Sequence, residues 1–112
     1  MKAYLPVATG SAATLENPRP TFVPDRLEEL RGPARGSVTL PVTLDWTPAN
    51  RYDMSSPREV KRLYQTVLSE ALSEADVTAY VDATLLKNVW SSLRLPRRVR
   101  VAWENAHPEL AA

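Results

Sequence analysis

Three groups of residues in this 112-residue chain could do chemistry: one histidine, a run of arginines and a set of large aromatics. His107 is the only histidine, and Pro108 follows it. As a general base or metal ligand it would need partners. The chain has no cysteine and no second histidine, so a metal site would depend on carboxylates alone. The simpler expectation is that His107 caps a helix end. Glu70, Glu74 and Asp76 gather where two helices meet, and acidic residues in a first turn are accounted for by the helix dipole. No glycine-rich phosphate loop, G-x-S-x-G elbow or H-E-x-x-H pair occurs. The chain is therefore expected not to be an enzyme and to hold neither cofactor nor metal.

The arginines Arg94, Arg97, Arg98 and Arg100 are the one concentration of charge. A helix, a short turn and an arginine-bearing helix is the outline of a helix-turn-helix DNA reader. The turn at 92–95 lacks the glycine often found there, and the same arginines better suit a solvated face or a patch that meets an acidic protein. Trp46, Trp90 and Trp103, with Tyr52, Tyr64 and Tyr80, could stack on a ligand, but their spacing fits a core better. An exposed Trp46 would instead favour partner binding, because tryptophan anchors interfaces.

Composition limits these readings. Hydrophobic residues make up 44% and charged residues 24%, ordinary globular usage, and the formal net charge of +1 gives no long-range field toward nucleic acid or membrane. The absence of cysteine fits a cytoplasmic setting. No apolar stretch approaches the ~20 residues of a membrane span, and the first fourteen residues have no signal-like apolar run.

The elements that must position these residues follow from the helix breakers. Eight of ten prolines and all three glycines fall within the first 57 residues. Residues 1–37 read as an irregular or mobile arm, with one or two helical turns near 24–31 ended by Gly32. Residues 38–112 read as a small helical domain with a leading strand at 38–46. There Val38, Leu40, Val42, Leu44 and Trp46 alternate with polar residues and Pro41, which puts all five on one face. Pro41 cannot donate to a ladder, so the strand is expected at an edge. Its partner would be residues 3–8, a second copy, or another protein.

After Ser56 the pattern is helical. Ser56-Pro57-Arg58-Glu59 combines a cap, an N1 proline and a capping-box glutamate. Val60, Leu63, Tyr64, Val67, Leu68 and Ala71 then mark one face of a helix over 57–72. Ser73 and Asp82 are expected to cap two more helices, the second over 83–92, and Pro96 to open a fourth over 96–106. The fold class expected is mainly α: a compact cluster of about four short helices, preceded by an irregular arm with one edge strand or small β ribbon. So thin a helical core calls for a cover from the strand or from another chain.

The stretches LPVTLDW, YDMSSPREVKRLYQTVLSEA and DATLLKNVWSSLRLPRRVRVAWE together resemble small uncharacterised actinobacterial proteins over residues 38–105. Some of those are encoded beside nucleotidyltransferase-like toxins, so the resemblance implies an antitoxin or regulatory partner role. The resulting expectation is a cytoplasmic protein-interaction or regulatory module, antitoxin-like. Its partner, another protein or a second copy, would be met by Val38, Leu40, Val42, Trp46, Arg94, Arg97, Arg98 and Arg100. A DNA-binding regulator using the final two helices is the alternative.

Overall fold

The computed structural model describes residues 20–111. A 3-10 turn at Leu27–Glu29 leads to a two-stranded antiparallel hairpin, β1 (Ser37–Thr39) and β2 (Arg51–Asp53), in register Ser37 to Asp53. Four helices follow: α1 (Pro57–Glu70), α2 (Glu74–Tyr80), α3 (Ala83–Val89) and α4 (Arg97–Ala106). Short 3-10 turns at Trp90–Ser92 and Pro108–Leu110 extend α3 and follow α4.

The helix starts are local in origin. The Ser56 hydroxyl accepts from the Glu59 N–H at 3.4 Å, the Ser73 hydroxyl from the Asp76 N–H at 3.3 Å, and the Asp82 carboxylate from the Leu85 N–H at 2.9 Å. Each satisfies a donor that a helix N-terminus leaves unpaired. α1 is the axis of the core: Leu63, Tyr64 and Val67 on its apolar face are wholly buried, and α2 and β2 pack against it. The Tyr64 hydroxyl accepts from the Asp82 N–H at 3.0 Å, tying α1 to the start of α3. Burial pushes this phenol up to about 12, so it stays protonated through the neutral range. Trp90 and Trp103 are core residues as expected, with ring centroids 6.1 Å apart.

The strand expected over 38–46 is three residues long and ends before Pro41. At Pro41 the chain turns, and the Pro41 carbonyl accepts from the N–H groups of Leu44 (2.9 Å) and Asp45 (3.0 Å). The turn breaks the period of two: Val38, Leu40 and Leu44 are buried, while Val42 and Trp46 face outward. The described strand pairs within the chain, with Arg51–Asp53. The ribbon suggested for residues 3–8 lies outside the described residues.

The part of the arm that is described is irregular in backbone but docked. Leu27 and Leu30 join the core, the Arg31 N–H donates to the Thr78 carbonyl (2.8 Å), and the Gly32 N–H donates to the Val81 carbonyl (2.9 Å). His107, at the C-cap of α4, is buried, and its Nε2–H donates to the Pro24 carbonyl at 2.8 Å across 83 positions of sequence. It ties the arm to the last helix in addition to ending that helix. Gly32 has a role other than stopping a helix: a Cβ there would lie 2.3 Å from the Tyr80 carbonyl carbon and from the Val81 nitrogen, both backbone atoms that cannot swing away.

Two glycine substitutions should separate close approach from backbone conformation. Gly32→Ala should cost roughly 3 kcal/mol in urea unfolding by forcing the arm off α2. Gly36, at φ +77° with open space around it, should lose only about 1–2 kcal/mol on change to alanine. Equal losses at the two positions would contradict the docked arm.

Candidate interaction surface

The loop between the two strands shows how this chain can hold a large apolar side chain in water. Its base is closed by Leu40 and Asn50: the Leu40 N–H donates to the Asn50 carbonyl, and Asn50 Nδ2 donates to the Leu40 carbonyl, both at 2.9 Å. Asp45 is buried beneath the loop and accepts from the Thr47 N–H (3.0 Å), the Thr47 hydroxyl (2.6 Å) and the Tyr52 hydroxyl. Those hydroxyl bonds, Thr47 first and Tyr52 next, hold the Asp45 carboxyl below its ordinary 3.8, against the opposing effect of burial. Burial, reinforced by Asp45, pushes the Tyr52 phenol up. The pair is therefore carboxylate and neutral phenol at neutral pH.

Arg62 of α1 fixes the other side of the loop. Its guanidinium donates to the carbonyls of Ala49 (2.9 Å) and Arg51 (3.4 Å), pairs with Glu59 (2.9 Å) and lies 4.1 Å from the Tyr52 ring centroid. The result is a pinned loop with Trp46 at 82% exposure and Val42 at 71%. Trp46 forms one wall of an open cleft with Leu44, Gln65, Glu70 and Arg94. A second cleft, lined by Arg58, Lys61, Arg62, Gln65, Ser92 and Arg94, continues along the polar face of α1. Gln65 and Arg94 are common to both, and the Arg94 N–H donates to Gln65 Oε1 at 2.7 Å, which fixes the turn before α4 against α1.

The chain matches no protein-family model, no curated protein and no solved structure. Its surface chemistry therefore carries the functional argument. Among the described residues no group of three or more His, Asp or Glu side chains is placed to hold a metal ion, and no helix is long and apolar enough to cross a membrane.

The structure divides the candidate residues read from the sequence. Val38 and Leu40 are at 6% and 1% exposure and cannot meet a partner; they belong to the hairpin's inner face. Val42 and Trp46 are outside, for the opposite reason to the one their spacing suggested. Arg94 and Arg97 are exposed, and Arg98 is half-buried with an interaction of its own. Arg100 is turned inward: it donates to the carbonyls of Leu93 and Trp90, pairs with Glu104 at 3.5 Å and lies 5.0 Å from the Trp90 ring centroid. The arginines thus do not form one patch. Arg94 joins Trp46, and Arg100 is structural. The cleft beside Trp46 also brings in Arg58, Lys61 and Gln65, which the sequence reading did not single out. Their i, i+3, i+7 spacing marks the polar face of α1, but nothing local shows that the turn carrying Arg94 lies along it.

Tyr52→Phe should cost about 1–3 kcal/mol, because it leaves an Asp45 oxygen buried without its donor. The Trp46 indole should become measurably more mobile by NMR relaxation. The bonded Asp45 has a lowered pKa, so its stabilisation is complete above about pH 4 and is lost as the pH falls through the lowered value. Loop order should therefore be constant from pH 5 to 8 and fall only in acid; unchanged stability in Tyr52→Phe would contradict the lock.

Proposed function

We propose that this protein is a small interaction module that docks another protein through the loop bearing Val42 and Trp46. The observation that carries this reading is a tryptophan at 82% exposure on a loop held by buried hydrogen bonds. A surface tryptophan on a mobile loop would lose much of its docking energy to ordering, whereas a pinned one gains most of its burial energy on contact. An antitoxin-like role, implied by the resemblance of residues 38–105, is one form of this reading; the partner is then an enzyme and the setting cytoplasmic.

A DNA-binding regulator acting through α3 and α4 draws less support. Arg100 is committed to the carbonyls of its own core, and the first cleft, which Arg94 lines, also carries Glu70 and Asp45. Fewer cations then remain to meet phosphates than the sequence offered.

The test is affinity capture on the immobilised full chain from an extract of its source cells, comparing wild type with Trp46→Ala. Val101→Ser serves as control, since Val101 is exposed on α4 and lines neither cleft. A specific protein should be retained by wild type and control and reduced about ten-fold or more by Trp46→Ala. Equal retention by all three would reject this function.

A further inference from the structure

We infer that the segment this surface takes is an acidic peptide of a partner protein, with its carboxylates laid along α1 and an adjoining apolar residue packed on Trp46. The inference rests on Trp46 as the docking residue and adds the chemistry of what docks. It begins with charge. The α1 cleft is lined by Arg58, Lys61, Arg62, Gln65, Ser92 and Arg94, with no carboxylate among them. Arg62 is neutralised by Glu59, but Arg58, Lys61 and Arg94 make no ion pair among the described residues. Glu59 is the nearby carboxylate, paired with Arg62 and felt by Arg58, so the cations lining the cleft outnumber it; like charges around one cleft repel one another, and a carboxylate-bearing segment relieves that repulsion. Because the Gln65 Oε1 already accepts from Arg94, the group Gln65 has left to offer is its NH2, a further donor suited to an anion.

The surface is also polarised. Across Gln65 and Arg94 the basic cleft, with four cations in its lining, runs into the Trp46 cleft, which has Arg94 alone. A bound segment is therefore favoured to be negative at one end and uncharged and apolar at the other. A single nucleic-acid strand stacked on Trp46 fits this poorly, since it carries a charge on every nucleotide, including those over the cleft where Arg94 is the one lining cation. A protein segment can confine its charge to one end. A second copy of this chain is the competing occupant: Leu72 is 62% exposed with Glu70 and Glu74 on either side. Such a contact is head-to-tail, however, and builds open chains where it does not close. The acidic pair Glu28 and Glu29 is no substitute, because the leucines flanking it are buried.

The experiment uses the full chain and a short fluorescein-labelled peptide with a run of glutamates followed by a leucine–phenylalanine pair. A glutamine-for-glutamate counterpart and an oligothymidine of equal length are the comparison probes. By anisotropy the glutamate peptide should bind about ten-fold tighter than the glutamine one, and less tightly as salt rises. Both Trp46→Ala and the double variant Arg58→Glu, Arg94→Glu should lose about ten-fold, with circular dichroism melts matching wild type. Equal binding of the glutamine peptide, indifference to charge reversal, or tighter binding of the oligothymidine would overturn the inference, as would self-association abolished by Leu72→Ser. The two proposals fail separately. If a cell-extract partner is lost with Trp46→Ala but kept by the charge-reversed variant, the acidic segment is wrong and the docking loop stands. If the partner survives both, both are wrong.

Discussion

α1 has two faces, and both the fold and its surface are organised by the contrast between them. Val60, Leu63, Tyr64, Val67 and Leu68 close the inner face at 4% exposure or less, and at close-packed density such a face leaves no freedom to rotate the helix. Once that face is fixed, the 3.6-residue period dictates where Arg58, Lys61, Arg62 and Gln65 go: onto the opposite flank, one turn apart. Arg62 reaches the hairpin loop and Gln65 reaches the turn before α4. The same helix that supplies the core therefore aligns the loop bearing Trp46 with the turn bearing Arg94.

The loop owes its order to an interaction that water would weaken. Asp45 and Tyr52 are both buried, and a charge-assisted hydrogen bond out of solvent is stronger than its exposed equivalent. Its direction of protonation is stable across the neutral range, because the carboxyl is held down while the phenol is pushed up. Covering one tryptophan side chain removes at most roughly 200 Å² from water, worth about 4–5 kcal/mol at ~25 cal/mol per Å². In the proposed complex that would anchor a transient contact without holding it alone, and the cations of the adjoining cleft would supply the second element of attraction.

Much of the fold was legible because its signals are local. The Ser56, Ser73 and Asp82 caps and the α1 periodicity each lie within one or two helical turns, and all four helices appear within a few residues of their expected bounds. The strand was misread for a physical reason. Alternation from Val38 to Trp46 satisfies a strand template, but Pro41 has no N–H to give and its carbonyl instead closes a turn on Leu44 and Asp45. Its partner, Arg51–Asp53, has a single apolar residue, Tyr52, so it carries no pattern at all. The contact of His107 with Pro24 and the approach of Gly32 to Tyr80 join distant positions that no local period connects. For the surface, the polar face of α1 is carried by local spacing, whereas the packing of Arg94 beside it is not.

The described part of the arm bears on which surface stays open. The cover expected from the strand or from another chain comes from within the described residues: Leu27 and Leu30 of the arm and Val38 and Leu40 of the hairpin all join the core, and Pro24 is held by His107. What stays exposed, Trp46 and Val42, is not a remnant of an unfinished core, since the loop backbone is hydrogen-bonded, Leu40 and Leu44 on either side of Val42 are buried, and so is Asp45 beside Trp46. A large apolar side chain kept in water by a fully formed structure gains nothing for folding. Under the proposed docking role its position is accounted for by a contact made after folding, and recognition then falls to the hairpin loop and α1, with the described arm left to stability.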